Sequence, residues 1–128
     1  QNKKRHVAIK VIKNKPAYTR QAAVEIDIFK SLSLTGNIRI NQDGSTDVKD
    51  HRVQLLFYFV HHNHLCLVFE LLGLNLYEIL KRRQFRGLRL NQVRNILQQS
   101  LEGINELSVG GVVHCDLKPE NILLVNSE

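Results

Sequence analysis

The sequence is short of cysteine and aromatics and has no long apolar run, and each shortage excludes a class of protein. Its two cysteines, Cys66 and Cys115, are too few and too far apart for a disulfide framework. Each sits inside an apolar or motif segment, so free thiols in a reducing compartment, cytoplasm or nucleus, are expected. No stretch approaches the roughly 18 consecutive apolar residues of a membrane span, and nothing resembles a secretory signal, so no membrane association is expected. Zinc-ligand spacing is also missing. The nearest group, His61, His62 and His64, has two adjacent members and no cysteine pair nearby, and an exposed hairpin turn is the better reading.

The charge is unbalanced towards positive, with a net +6. Basic residues cluster at Lys3-Lys4-Arg5 and at Lys81-Arg82-Arg83, followed by Arg86 and Arg89. Phe85 alone is interleaved with them, and no nucleic-acid-binding signature appears, so nucleic acid is not expected as the main partner. A solvated face is favoured for the segment at 81–89 over an acidic partner or a nuclear address. There is no internal repeat and no low-complexity tract. The chain opens on Gln1 rather than Met and stops just after Ile122-Leu123-Leu124-Val125, so both ends are expected to be cut from a longer polypeptide.

What is present is globular: 43% apolar and 23% charged residues in a length that suits one domain. Residues 6–13 are β-branched and predict a strand, with Val7, Ile9 and Val11 on one face and Ala8 and Lys10 on the other. Asn14 to Pro16 break it. Ala22, Ile26, Phe29 and Leu32 then recur at helical spacing, which predicts a helix from about Thr19 to Ser33. The polar stretch Thr35–Asp50 reads as a long loop with a tight turn at Asp43-Gly44. Val53–Val60 and His64–Glu70 predict an antiparallel hairpin with its tip at 61–63. A short helix follows from near Asn75, carrying Leu76, Ile79 and Leu80 on one side and ending at Phe85-Arg86-Gly87. A longer helix spans about Asn91 to Val109, capped by Asn91 and stopped by Gly110-Gly111, with an apolar stripe of Val93, Ile96, Leu97, Leu101, Ile104 and Leu107. Val112–Val125 reads as strand, polar loop and strand.

The segment richest in chemistry is His114-Cys115-Asp116-Leu117-Lys118-Pro119-Glu120-Asn121. This string resembles the protein-kinase catalytic loop, H-R-D-L-K-x-x-N, in all fixed places but one, and a carboxylate, an ammonium and an amide at offsets of zero, two and five suit phosphoryl transfer. Asp116 would orient a hydroxyl and accept its proton, Lys118 would face the moving phosphoryl group, and Asn121 would ligate Mg²⁺. The bland alternative is that Asp116 and Asn121 merely cap a turn. Val7-Ala8-Ile9-Lys10 supplies a second cation on a strand, and Glu25, fifteen residues on, stands mid-helix where a carboxylate could aim Lys10 at phosphate. The ordinary fate of such a glutamate is a solvated helix face. Leu65–Gly73 is the third signal, an apolar strand leading into Glu70-Leu71-Leu72-Gly73. Singly, its apolar residues read as plain core; only their joint order argues for a ligand slot.

Together these segments resemble protein kinases, and the DYRK family (dual-specificity tyrosine-phosphorylation-regulated kinases, with its YAK-type branch) in particular. The likeness rests on Val-Ala-Ile-Lys-Val-Ile-Lys-Asn-Lys at 7–15, Asn-His-Leu-Cys-Leu-Val-Phe-Glu at 63–70, Asn-Leu-Tyr-Glu at 75–78, Phe-Arg-Gly at 85–87 and His-Cys-Asp at 114–116. Most protein kinases have arginine where Cys115 stands, whereas this family commonly has cysteine. The resemblance implies an incomplete α+β two-lobe kinase fold: small-lobe part at 1–69, hinge at 70–73, and the start of the large lobe at 74–128. It implies ATP and Mg²⁺ as cofactors and a protein substrate phosphorylated on serine or threonine. It also implies an activation-loop tyrosine modified by the complete enzyme itself. Lys10 would hold phosphate, aimed by Glu25. Ala8, Val53, Phe69, the backbones of Glu70 and Leu72, and Leu123 would hold adenine. Asn121 would hold the metal. The 35–50 loop is longer than is usual in the family. No glycine-rich loop precedes Lys10 and no Asp-Phe-Gly follows Asn121 in these residues, so the resemblance leaves an alternative: a non-catalytic kinase-derived binding module or a gene relic. The oligomeric state and the identity of the substrate stay open.

Overall fold

A computed structural model of the chain describes residues 6–34, 39–40, 46–47 and 50–125. The basic cluster at 3–5 and the turn expected at Asp43-Gly44 lie outside the described residues. The elements run β1 (Val7–Val11), α1 (Pro16–Leu34), β2 (Arg39–Ile40), β3 (Thr46–Asp47), β4 (Leu55–His61), β5 (His64–Glu70), α2 (Leu76–Arg82) and α3 (Leu90–Val109), with a 3-10 turn at Pro119–Asn121. They fall into two compact units. One comprises residues up to Leu34 together with Val53–Leu71, and the other comprises Thr35–Arg52 and residues from Leu72 onward.

The first unit is an antiparallel sheet in the order β1-β5-β4 with α1 against one face. Lys10 pairs with Leu67 and Ala8 with Phe69. Directly opposed residues share a face, so these four project towards the helix. There Leu67 is fully buried against Ala22 and Ile26, while Ile12, Leu55, Leu65 and Phe69 pack around them. Each large apolar side chain buried in this way contributes about 1.5–3 kcal/mol. Val7, Ile9 and Val11 line the opposite face and are exposed. Helix α1 begins three residues earlier than the apolar spacing predicts. The strand already stops at Val11, and Pro16 is the first helical residue, where its fixed φ fits and its missing N–H costs nothing.

The hairpin forms with His61 and His64 as its last paired residues, so His61 belongs to the strand and not to the tip. The two turn residues, His62 and Asn63, both have positive φ, 45° and 62°. That is the two-residue turn whose twist matches flanking strands. Among the described residues no group of three metal-ligating side chains forms. The His64 ring nitrogen Nδ1 instead lies 2.8 Å from the Ile12 carbonyl.

The second unit corrects several expectations. The 35–50 segment is not all loop: β2 and β3 pair antiparallel, Arg39 with Asp47 and Ile40 with Thr46. Asn75 caps α2, its Oδ1 accepting the Glu78 N–H at 2.8 Å. Helix α3 starts at Leu90, so Asn91 is inside it and not its cap. The flanking residue is Arg89, whose N–H donates to Gln92 Oε1 at 3.1 Å. An arginine side chain has no acceptor, so only this half of a reciprocal cap is made. At the other end Gly111, with φ of 71°, turns the chain. The N–H groups of Gly111 and Val112 return to the carbonyls of Ser108 and Leu107, the bonding of a Schellman stop. Neither of the two strands expected within 112–125 forms. Residues 122–124 instead pair with 73–76 through an isolated bridge, Asn75 to Leu123, and backbone bonds joining Gly73 to Leu124 and Leu76 to Ile122.

The expected stripe of α3 is only partly covered: Leu97 and Leu101 are exposed, and the most buried positions are Gly103 and Glu106. The reason is the segment at 50–52. A Cβ added at Gly103 would stand 3.2 Å from the His51 Cβ, so glycine is what lets this segment lie against the helix. His51 Nε2 is 2.8 Å from Glu102 Oε2. Arg52 Nε is 2.8 Å from Asp50 Oδ1 and 3.4 Å from the buried Glu106 Oε2.

Candidate active site

In the first unit, strand β1 and helix α1 bring Lys10 and Glu25 together. The Lys10 ammonium donates to both carboxylate oxygens, at 2.8 and 2.7 Å. Period two places Lys10 on the helix side of β1, and Glu25 sits one residue before the buried Ile26 on the packed side of α1. A shallow groove of about 340 Å³ opens beside the pair, lined also by Tyr18, Gln21 and Lys13. The pair is half exposed, 51% for Lys10 and 32% for Glu25, so it adds little to stability. Ala8 is half-buried on the same face. Phe69 is half-buried too, and its ring meets Phe29 edge-on at 5.5 Å. Phe29 thus supports an expected ligand-slot residue. The helical periodicity identified Phe29 only as core. The Glu70 N–H donates to the Gln54 carbonyl, and the Glu70 carboxylate accepts the Gln54 N–H at 2.9 Å. Val53 stands two residues before β4 and is exposed.

In the second unit, the loop at 114–121 brings Asp116, Lys118 and Asn121 into contact. Lys118 Nζ lies 2.8 Å from Asp116 Oδ2. Asn121 Nδ2 donates to the Asp116 carbonyl at 2.8 Å and to its carboxylate at 3.1 Å. The backbone enables this: Cys115 has φ of 63°, and the Asp116 N–H donates to His114 Nδ1 at 3.2 Å. The Lys118 hydrogen bond, reinforced by its charge, holds the Asp116 carboxyl below its ordinary range, and the same bond raises Lys118. Asp116 is therefore an ionised acceptor near neutral pH. With Nδ2 turned to Asp116, the Asn121 amide oxygen is the atom left for a hard cation, and an oxygen donor of that kind suits Mg²⁺. Leu72 is half-buried, and Leu123, exposed, is the residue bridged to Asn75.

A tethered lysine on a strand of one unit and a loop grouping Asp, Lys and Asn in the other are each chemically suited to phosphate. The model of the protein kinase domain matches residues 1–128. The chain belongs to the protein kinase family. It is 49% identical over 118 residues to serine/threonine-protein kinase ppk15 of Schizosaccharomyces pombe, covering 92% of this chain and 21% of that protein. It is 48% identical over 121 residues to the dual specificity protein kinase YAK1 homolog of Arabidopsis thaliana, covering 94% and 12%. A third relative, the probable serine/threonine-protein kinase yakA of Dictyostelium discoideum, is 46% identical over 120 residues, covering 94% and 8%. The chain spans about a fifth or less of the length of these relatives. The YAK-type, DYRK-like resemblance read from the motifs is borne out by these names. Protein kinases generally use ATP and Mg²⁺. Among the described residues no helix is long and apolar enough to cross a membrane.

Proposed function

We propose that this chain carries the phosphate-gripping strand, the hinge and the catalytic loop of a DYRK-like kinase that transfers the γ-phosphoryl group of ATP to serine or threonine of a protein. The observation that carries this reading is the Asp116–Lys118–Asn121 grouping, three residues converging within one short loop. Asp116, kept ionised by Lys118, orients the substrate hydroxyl and takes its proton. The hydroxyl oxygen forms a bond to the γ-phosphorus, the bond to the β–γ bridging oxygen breaks, and ADP leaves. Lys118 and Lys10 stabilise the charge on the phosphoryl oxygens, and Glu25 aims Lys10. Mg²⁺, when bound, neutralises phosphate charge, with Asn121 as one of its ligands. The assignment of Ala8, Val53, Phe69, Glu70, Leu72 and Leu123 to adenine, and of 1–69, 70–73 and 74–128 to small lobe, hinge and large lobe, rests on the order of these residues along the chain. The free thiols favour the cytoplasm or nucleus as the place of work.

The test is Asp116→Asn in the full-length protein, with phosphate transfer from labelled ATP to a serine peptide as the readout. A fall of about 10²- to 10⁴-fold is expected, the contribution of a positioned acid–base group. A variant within threefold of wild type removes Asp116 from the mechanism. Absence of transfer by the wild-type protein would favour a non-catalytic binding module.

A further inference from the structure

The chain's net charge of +6 resides in one place. Residues 81–94 hold six cations, Lys81, Arg82, Arg83, Arg86, Arg89 and Arg94, and no acid; the other twelve cations balance the twelve carboxylates. All six are exposed, and among the described residues none takes part in an ion pair. Glu78, one turn back on α2, is not paired with Lys81 or Arg82 although helical spacing brings them near. The segment is tightly wound. Gln84, Phe85 and Arg86 donate back to the carbonyls of Lys81, Leu80 and Arg83, and Arg83 Nε donates to the Gly87 carbonyl at 3.1 Å. Gln84, Phe85 and Gly87 all have positive φ.

Local structure accounts for only part of this charge. Lys81 and Arg82 complement the C-terminal end of α2. Arg89 and Arg94 do the reverse. They flank the start of α3, where the helix dipole disfavours cations, and the first turn there contains no acid. Five of the six are arginines, whose planar forks match carboxylates in pairs. The exposed Phe85 ring is already engaged by Tyr77 at 5.9 Å, so no open series of aromatic plates is offered to bases.

We propose that the 81–94 surface is a docking site for an Asp/Glu-rich segment of the protein substrate, separate from the residues that meet the phosphorylated hydroxyl. That the acidic partner is a substrate rests on the kinase reading, but the surface has its own readout. Helix α2, about 10 Å long, runs from the Asn75–Leu123 bridge beside the catalytic loop to this patch. A substrate could therefore touch both through a few linking residues. Long-range attraction to an acidic segment lowers KM and leaves the chemical step unchanged.

The experiment uses the full-length protein and serine peptides carrying six glutamates or six glutamines beyond a short Gly-Ser linker, at either end. The glutamate-tailed peptide should show a KM about fivefold or more below the glutamine-tailed one, with equal kcat, as several weak surface pairs supply together. The advantage should vanish in Arg82→Gln/Arg86→Gln/Arg89→Gln, with KM for the glutamine-tailed peptide unchanged. It should also vanish in wild type at about 0.5 M salt, which keeps the test intact where the triple variant does not fold. Equal KM values for the two tails overturn the proposal. So does binding of single-stranded RNA that depends on the three arginines while the tails are indistinguishable, because the patch then serves nucleic acid. Fluorescence anisotropy of a labelled oligoglutamate peptide reads the surface without turnover. Oligoglutamate binding that the triple variant loses, with neither serine peptide phosphorylated, supports the surface and overturns the kinase reading instead.

Discussion

Asp116 and Lys118 depend on each other. Their 2.8 Å contact is exposed, so it adds little to stability, but it lowers the pKa of the carboxyl proposed to accept a proton. A carboxyl held below its ordinary value stays ionised as pH falls through the ordinary range and protonates only further into acid. Replacing Lys118 with Met removes the foremost cause, so the Asp116 titration midpoint, followed by carboxyl carbon NMR, should move up towards the ordinary value of 3.8. An unchanged midpoint would show that Asn121 and His114 suffice. At this scale the sequence was highly legible. Lys10, Glu25, Asp116, Lys118 and Asn121 are chemically distinctive and stand at fixed spacings, and the structure brings them together as two contacting groups. Phe29 was not legible as a neighbour of Phe69, because a helical apolar residue carries no mark of which strand residue it will meet.

At the scale of elements, propensity and punctuation located every helix and the hairpin to within a few residues, while the fastening of α3 was missed. Asp50 read as the end of a polar loop, and nothing in the sequence marked His51 and Arg52 as partners of Glu102 and Glu106, because the partners are some fifty residues apart in the chain. The structure makes Arg52 the cation for a buried carboxylate, Glu106, whose Oε2 has no hydrogen bond. Arg52→Ala should therefore destabilise the full-length protein by about 3–5 kcal/mol, since it leaves buried charge uncompensated. Chemical denaturation checks this; a loss under about 1 kcal/mol would mean the carboxylates reach solvent without it. Burial acts to raise the Asp50 carboxyl, but hydrogen bonds from the Arg52 side chain and backbone, with its charge, outweigh burial and hold it below its ordinary value. Its stabilising effect is thus complete above the ordinary value and lost as pH falls through the depressed one. The hairpin offers the opposite case. His62→Asn with Asn63→Gly places better residues at two positive-φ sites and should stabilise by about 1 kcal/mol, raising the urea midpoint without changing the slope.

For the molecule as a whole, the decisive feature is apolar surface without cover. On α3, Leu90, Leu97, Leu101 and Val109 are 77%, 56%, 64% and 67% exposed. On the sheet face away from α1, Ile9, Val11 and Phe57 are 51%, 60% and 56% exposed. The sequence showed that these residues are apolar and periodic, which predicts burial, yet nothing in the 128 residues could say what buries them. Scattered apolar residues on a surface are ordinary, but rows of them on one helix and one sheet face leave marginal net stability and invite association. The 128-residue chain produced alone should therefore bind ANS strongly, show a broad thermal transition and self-associate with rising concentration. Calorimetry and sedimentation decide the matter. A sharp cooperative transition of a monomer would mean that the paired cores, Leu67 with Ala22 and Ile26 in one unit and the Arg52–Glu106 fastening in the other, hold the fold unaided. Strong ANS binding that the double substitution Leu97→Gln and Leu101→Gln abolishes would assign the instability to the open face of α3.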